Sequence, residues 1–158
     1  MKKLLLLRHG NAASRLSNMS DYDRSLDNIG KKQITNIANK LAESHNLPNL
    51  IIASTALRAI SSAKIIQNKK PVIKLTGTEL LYSASIFEYI DILGSQNETL
   101  ESIMLVAHNP TLSGFILKLT GKHIGMGTGN LCLIELDINE WSSINFNSVV
   151  LNSTLIKS

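Results

Sequence analysis

The chain has 158 residues, long enough for one domain with a closed hydrophobic core. Hydrophobic residues make up 44% and charged residues 18%, which excludes a disordered chain, and the single cysteine, Cys132, excludes an internal disulfide and suits a reducing compartment. Net charge is +4, but the lysines stand singly or in short pairs and aromatics make up only 4%, so neither a basic tract nor a stacking platform for nucleic acid is present.

Met1-Lys2-Lys3 followed by four leucines imitates a signal peptide. The apolar run stops at Arg8, short of the roughly 7–15 residues of an h-region, and reads instead as a buried strand over 2–7. No stretch approaches the ~20 apolar residues of a membrane span. A cytoplasmic location and no membrane partner are the expectation.

Residues 8–27 read as loop. Asp27 is suited to cap a helix from 28 to 45, with Ile29, Ile34, Ile37, Ala38 and Leu41 on its apolar face. A second strand is expected over Leu50–Ala53, followed by a helix capped by Ser54 or Thr55 and running to Asn68. A third strand over Pro71–Leu75, a loop over 76–84 and a helix over Ser85–Leu93 come next. The fourth strand is Ile103–Ala107, and Pro110 suits the first turn of a helix to Thr120. After the glycine-rich stretch 121–129, two alternating runs, Leu131–Leu136 and Trp141–Val150, read as an antiparallel pair. The pattern predicts one α/β domain over 1–158, a three-layer α/β/α sandwich with a mostly parallel central sheet.

Three polar clusters follow predicted strands: Arg8-His9-Gly10, Ser54 to Arg58, and His108-Asn109-Pro110. Ligands of open α/β sheets bind beyond the carboxyl ends of the strands, so two histidines and two arginines are expected in one pocket. Arginine is used sparingly, at four positions, Arg8, Arg15, Arg24 and Arg58, against twelve lysines. Sparing use suits sites that need forked clamping of an anion. A neutral imidazole can attack phosphorus, and fixed cationic donors stabilise the charge spread over the transferring group. His108, if protonated, adds a donor, and Gly10 allows close backbone approach to the ligand.

These segments resemble the histidine phosphatase superfamily, the phosphoglycerate mutase-like fold. Arg8-His9-Gly10 is similar to its RHG signature, Arg24-Ser25-Leu26 with Gly30 to R-P-L-T-x-x-G, Ser54 to Arg58 to S-x-x-x-R, and Val106 to Pro110 to V-G-H-N-P. Thr128-Gly129 matches a later Thr-Gly loop, and the short chain is most like the bacterial SixA-type phosphohistidine phosphatases. The resemblance implies His9 as the phosphorylated nucleophile and Arg8, Arg58 and His108 as the phosphate clamp. Gly10, Asn11, Arg24 and Asn109 are implied as phosphate or substrate contacts. Ser25 and Ala107 depart from the usual proline and glycine. The family's acid is the less defined part: Asn109 stands where one branch has an acidic residue, Glu79 is in the place another branch uses, and Asp21 and Asp23 are alternatives.

The expected activity is a metal-independent phosphatase, with no cofactor, acting on a histidine-phosphorylated signalling protein of the phosphotransfer-domain type. A small-molecule phosphomonoesterase or mutase of the same superfamily is the alternative, and a phosphate-binding module without turnover is the alternative of another class. No close-spaced Cys and His ligand set suggests a metal, no nucleic acid partner is expected, and a monomer is expected.

Overall fold

The four leucines that begin the chain set the plan of the molecule. Successive side chains of a strand point to opposite faces. In the first strand, β1 (Lys2–Arg8), Leu4 and Leu6 enter one buried cluster and Leu5 and Leu7 the other. All four are fully buried. A strand apolar on both sides needs cover on both sides, and the computed structural model, which describes residues 1–158, provides it.

The elements follow in the order α1 (Asn28–Glu43), β2 (Leu50–Ser54), α2 (Leu57–Gln67), β3 (Lys74–Thr78), α3 (Leu80–Ser83), α4 (Ile86–Gly94), β4 (Ser102–Ala107), α5 (Thr111–Thr120), β5 (Leu131–Leu136) and β6 (Val150–Ile156). They build one six-stranded sheet in the order β3-β2-β4-β1-β5-β6. β1 to β4 are parallel, and β5 and β6 close one edge antiparallel. Ile34, Ile37 and Leu41 of α1 and Ala59, Ala63 and Ile66 of α2 cover the face of Leu5 and Leu7. Tyr89 of α4, Leu112, Phe115 and Ile116 of α5, and Trp141 cover the other. The expected α/β architecture with helices on both faces is what the chain adopts.

The topology brings the carboxyl ends of three neighbouring central strands, β2, β4 and β1, side by side. Arg8, Ser54 and Ala107 end these strands, so the polar clusters that follow them meet on one rim.

Several elements differ from the sequence expectation. β3 lies three residues later than Pro71–Leu75. Proline cannot donate to a ladder, and Val72 is 83% exposed beside it, while Lys74, Thr76 and Thr78 suit an edge strand. The stretch read as loop at 76–84 therefore holds the end of β3 and the short α3. Trp141–Val150 is not a strand: Trp141–Ser143 is a 3-10 turn and the last strand starts at Val150. Its apolar residues belong to a helix-side cluster, where buried Trp141 donates its indole N–H to Leu100 O at 2.8 Å and the Glu98 carboxylate accepts the Trp141 and Ser142 backbone N–H groups.

Asp27 caps α1 as expected, its Oδ1 accepting from Gly30 N at 2.7 Å. Ser54 and Thr55 do not cap α2, which starts behind Ala56 without a side-chain cap. Ser85 instead caps α4 in a capping box with Glu88. On α1, Ile29 is 62% exposed and Gly30 takes the buried position. A Cβ on Gly30 would stand 2.1 Å from Asn11 O, and one on Gly10 2.6 Å from Gly30 O. The loop after β1 thus rests backbone to backbone on α1.

Gly-to-Ala within a helix ordinarily stabilises by about 1 kcal/mol. At this contact the sign reverses. Gly30→Ala is expected to lower stability by about 3 kcal/mol or more, measured by urea unfolding, and an unchanged or raised midpoint would contradict the contact.

Candidate active site

Arg8 and His9 leave β1, Ser54 ends β2, Arg58 stands in the first turn of α2, and His108 follows β4. Arg8, His9, Arg58 and His108 converge on a cleft of about 300 Å³, lined also by Asn11, Ala12, Arg24, Asn109 and Thr128, while Ser54 is fully buried. His9 and Arg58 are buried, at 7% and 6% exposure, yet both face this cleft.

His9 is fixed at both ring nitrogens. Nδ1 is 2.8 Å from Gly10 O, and Nε2 is 3.2 Å from Arg58 Nε. A carbonyl only accepts and a guanidinium only donates. Nδ1 therefore carries the proton and Nε2 the lone pair. Burial pushes the His9 pKa down to about 4, with the charges of Arg58, Arg8 and Arg24 adding to it and the bond to Gly10 opposing. The ring is neutral at physiological pH.

The same reasoning fixes His108. Nδ1 faces Arg58 Nη2 at 3.5 Å, and Nε2 donates to Ser54 Oγ at 2.9 Å. Burial, then His9 and Arg58, push its pKa down to about 3. The resting site thus holds His108 neutral rather than as a charged donor. An arriving dianion favours the protonated ring. The two imidazoles lie 5.0 Å apart between centroids.

Arg58 Nη1 donates to Asp21 O at 2.6 Å and Nη2 to Asp21 Oδ2 at 2.8 Å. Arg24 donates through Nε to Ala13 O and through Nη1 to Asp21 Oδ1, both at 2.9 Å. Asp21 therefore bridges two arginines of the cleft, and the Tyr82 hydroxyl donates to it at 3.0 Å. Arg24 first, with Tyr82 and Arg58, holds its carboxyl at about 2. It is a fixed acceptor at neutral pH, not a proton donor. Arg8 Nη1 donates to Met126 O at 2.8 Å, and its buried Nε has no partner.

The other expected site residues divide. Asn11 and Asn109 line the cleft, but their side chains brace loops: Asn11 Nδ2 donates to Asp27 Oδ2, and Asn109 joins Met126 O to Ser113. Gly10 does not line the cleft; its close approach is to Gly30, and its N–H donates to Ser62 Oγ at 3.1 Å. Glu79 is not brought into the cleft. Because β3 runs on to Thr78, Glu79 starts α3, exposed, in a neighbouring groove with Tyr22 and Tyr82. Asp23 is exposed and accepts from Ser20 Oγ. Sequence reasoning missed Ser54 as the partner of His108, Ser62 as the support of Gly10, and Tyr82 as the partner of Asp21. Of these only Ser54 stood in a motif.

The family model of the histidine phosphatase superfamily (branch 1) matches residues 4–81, which hold Arg8, His9, Arg24 and Arg58. The chain is similar over 97% of both chains, at 25% identity and a TM-score of 0.83, to the crystal structure of a candidate phosphohistidine phosphatase SixA from Agrobacterium tumefaciens. The chain belongs to the histidine phosphatase superfamily. The protein histidine phosphatase SixA complexed with tungstate has the same fold at 20% identity and a TM-score of 0.80, covering 96% of this chain and 95% of that one. A candidate alpha-ribazole-5'-P phosphatase from Escherichia coli K-12 does so at 16% identity and a TM-score of 0.71, covering 99% and 96%. No helix is long and apolar enough to cross a membrane.

Both histidine pKa values lie below the usual 6.5, so unfolding takes up protons once the pH falls below that value. Stability is expected to be flat above about pH 6.5 and to drop toward pH 4. In a proton NMR titration the ring resonances of His9 and His108 should hold still from pH 8 to 5, and a midpoint near 6.5 for either would contradict the geometry.

Proposed function

We propose that the protein is a phosphohistidine phosphatase that removes phosphate from a histidine-phosphorylated signalling protein through a phospho-His9 intermediate. The observation that carries this reading is a neutral His9 Nε2 under three arginines in a cleft with no positioned carboxylic acid. Asp21 is locked as a carboxylate, Asn109 stands where an acid could follow the second histidine, and Glu79 lies in the next groove.

The lone pair of His9 Nε2 attacks phosphorus as the P–N bond of the substrate breaks. The bonding pair returns to the substrate imidazole, which leaves neutral because its other nitrogen already carries a proton. Charge on the three phosphoryl oxygens meets Arg8, Arg24 and Arg58. Attack makes the His9 ring cationic, and its Nδ1–H bond to Gly10 O then strengthens. Water next attacks phosphorus, and the P–Nε2 pair goes back to His9. An alkoxide leaving group needs a proton in the transition state, which no carboxylic acid of this cleft is placed to supply. That absence favours a P–N bond over a phosphate ester.

Wild type should release phosphate from a histidine-phosphorylated phosphotransfer domain, and His9→Ala should release none. Glu79→Gln should leave kcat within about twofold of wild type, because no acid catalyst is lost. A loss of about a hundredfold, the size of a lost acid catalyst, would contradict the leaving-group reading. Turnover of small phosphate esters alone would move the assignment to the monoesterase or mutase alternative, and tight phosphate binding without any turnover to a binding module.

A further inference from the structure

Beside the catalytic cleft lies a second groove of about 470 Å³, lined by Tyr22, Glu79, Leu80, Tyr82, Ser83 and Glu88. Tyr82 joins the two: its ring lines the groove, its edge packs on His108 at 5.4 Å between centroids, and its hydroxyl bonds Asp21. Tyr22 backs it edge-on at 5.0 Å and is itself anchored to Thr55.

The groove differs in character from the cleft. The cleft carries three arginines, whereas the ionisable groups that line the groove, apart from its tyrosines, are carboxylates. Both ion pairs of the molecule belong to Asp21, so Glu79 and Glu88 pair with no cation of this chain. Glu88 is nevertheless fixed in place, because Ser85 N donates to its Oε2 at 2.7 Å. Between the two carboxylates, Leu80 is 58% exposed and Tyr82 36%. An exposed apolar strip rimmed by charge is a common mark of an interaction site.

We propose that this groove docks the polypeptide flank of the phosphohistidine, a segment of the substrate protein whose lysine or arginine meets Glu79 and Glu88 while an apolar side chain covers Leu80 and Tyr82. The inference rests on the phosphohistidine-protein reading above. Charge complementarity selects the occupant: a bare phosphate ester has nothing to offer two carboxylates, whereas a basic side chain near the phosphorylated histidine does. The opposed signs of cleft and groove also fix the direction in which the substrate lies.

The test uses two synthetic peptides with one central histidine, flanked by lysine in one and glutamate in the other, each with and without phosphorylation. Phosphoramidate, which has no flank, serves as the small substrate. Wild type should favour the lysine-flanked phosphopeptide in kcat/KM by about three- to tenfold, the range for one or two exposed charge pairs. Glu79→Lys should abolish or reverse that preference and leave phosphoramidate turnover unchanged. An equal preference in wild type and Glu79→Lys would overturn the docking surface, as would a parallel loss of phosphoramidate turnover. Binding of the unphosphorylated peptides separates the two claims. Tighter binding of the lysine-flanked peptide, lost in Glu79→Lys, with no phosphate release from either phosphopeptide, would support the groove and reject the phosphohistidine reading.

Discussion

The hydrogen bond between His9 Nδ1 and the Gly10 carbonyl is the contact on which the site depends. It assigns the proton to one ring nitrogen and leaves the lone pair on the other. The bond is only as good as the backbone that carries it, and that backbone is held on every side. Gly10 N donates to Ser62 of α2, His9 N to Ala107 O of β4, and Gly129 N to the His9 carbonyl. Beneath it the loop lies against Gly30 of α1, closer than any side chain would permit. Strand, sheet neighbour, both helices of one face and the glycine loop therefore converge on the backbone of His9 and Gly10.

Electrostatics then follow from placing three guanidiniums around a buried and a half-buried imidazole. Burial first, and then the cationic charge of the cleft, keep both histidines neutral at rest. Asp21 supplies the only counter-charge that directly bridges the arginines, and it spans Arg24 and Arg58 from a loop that is partly exposed. The cleft is thus electron-rich at His9 Nε2 and electron-poor around it, the pairing that transfer of a phosphoryl group requires. Three of the four arginines stand here, and Arg15, exposed in the loop, is the exception.

The sequence was most legible where burial is complete. β1 and β4 are apolar on both faces, so neither strand could be anything but central, and their ends carried Arg8, His9 and His108 to the rim. β3 and β6 are edge strands whose polar side chains blur the pattern, and both were misplaced. The slip at β3 also explains Glu79: with the strand set three residues early, its position near the cleft looked reasonable. Ile144 and Phe146 are spaced as in a strand but, with Trp141, pack as turn and loop residues beneath α4 and α5. Arg24, three residues on, is a local partner of Asp21, but its bridging role was hidden because Arg58 and Tyr82 come from distant parts of the chain.

The most direct measurement is to capture the enzyme during turnover and locate its phosphoryl group. Rapid mixing with a histidine-phosphorylated protein, alkaline quench, and peptide mass spectrometry with phosphorus NMR would identify both the residue and the ring nitrogen. Phosphate on His9 at Nε2 is the predicted result, since Nδ1 is committed to Gly10. Phosphate on His108, or on His9 at Nδ1, or turnover by a His9→Ala variant, would contradict it.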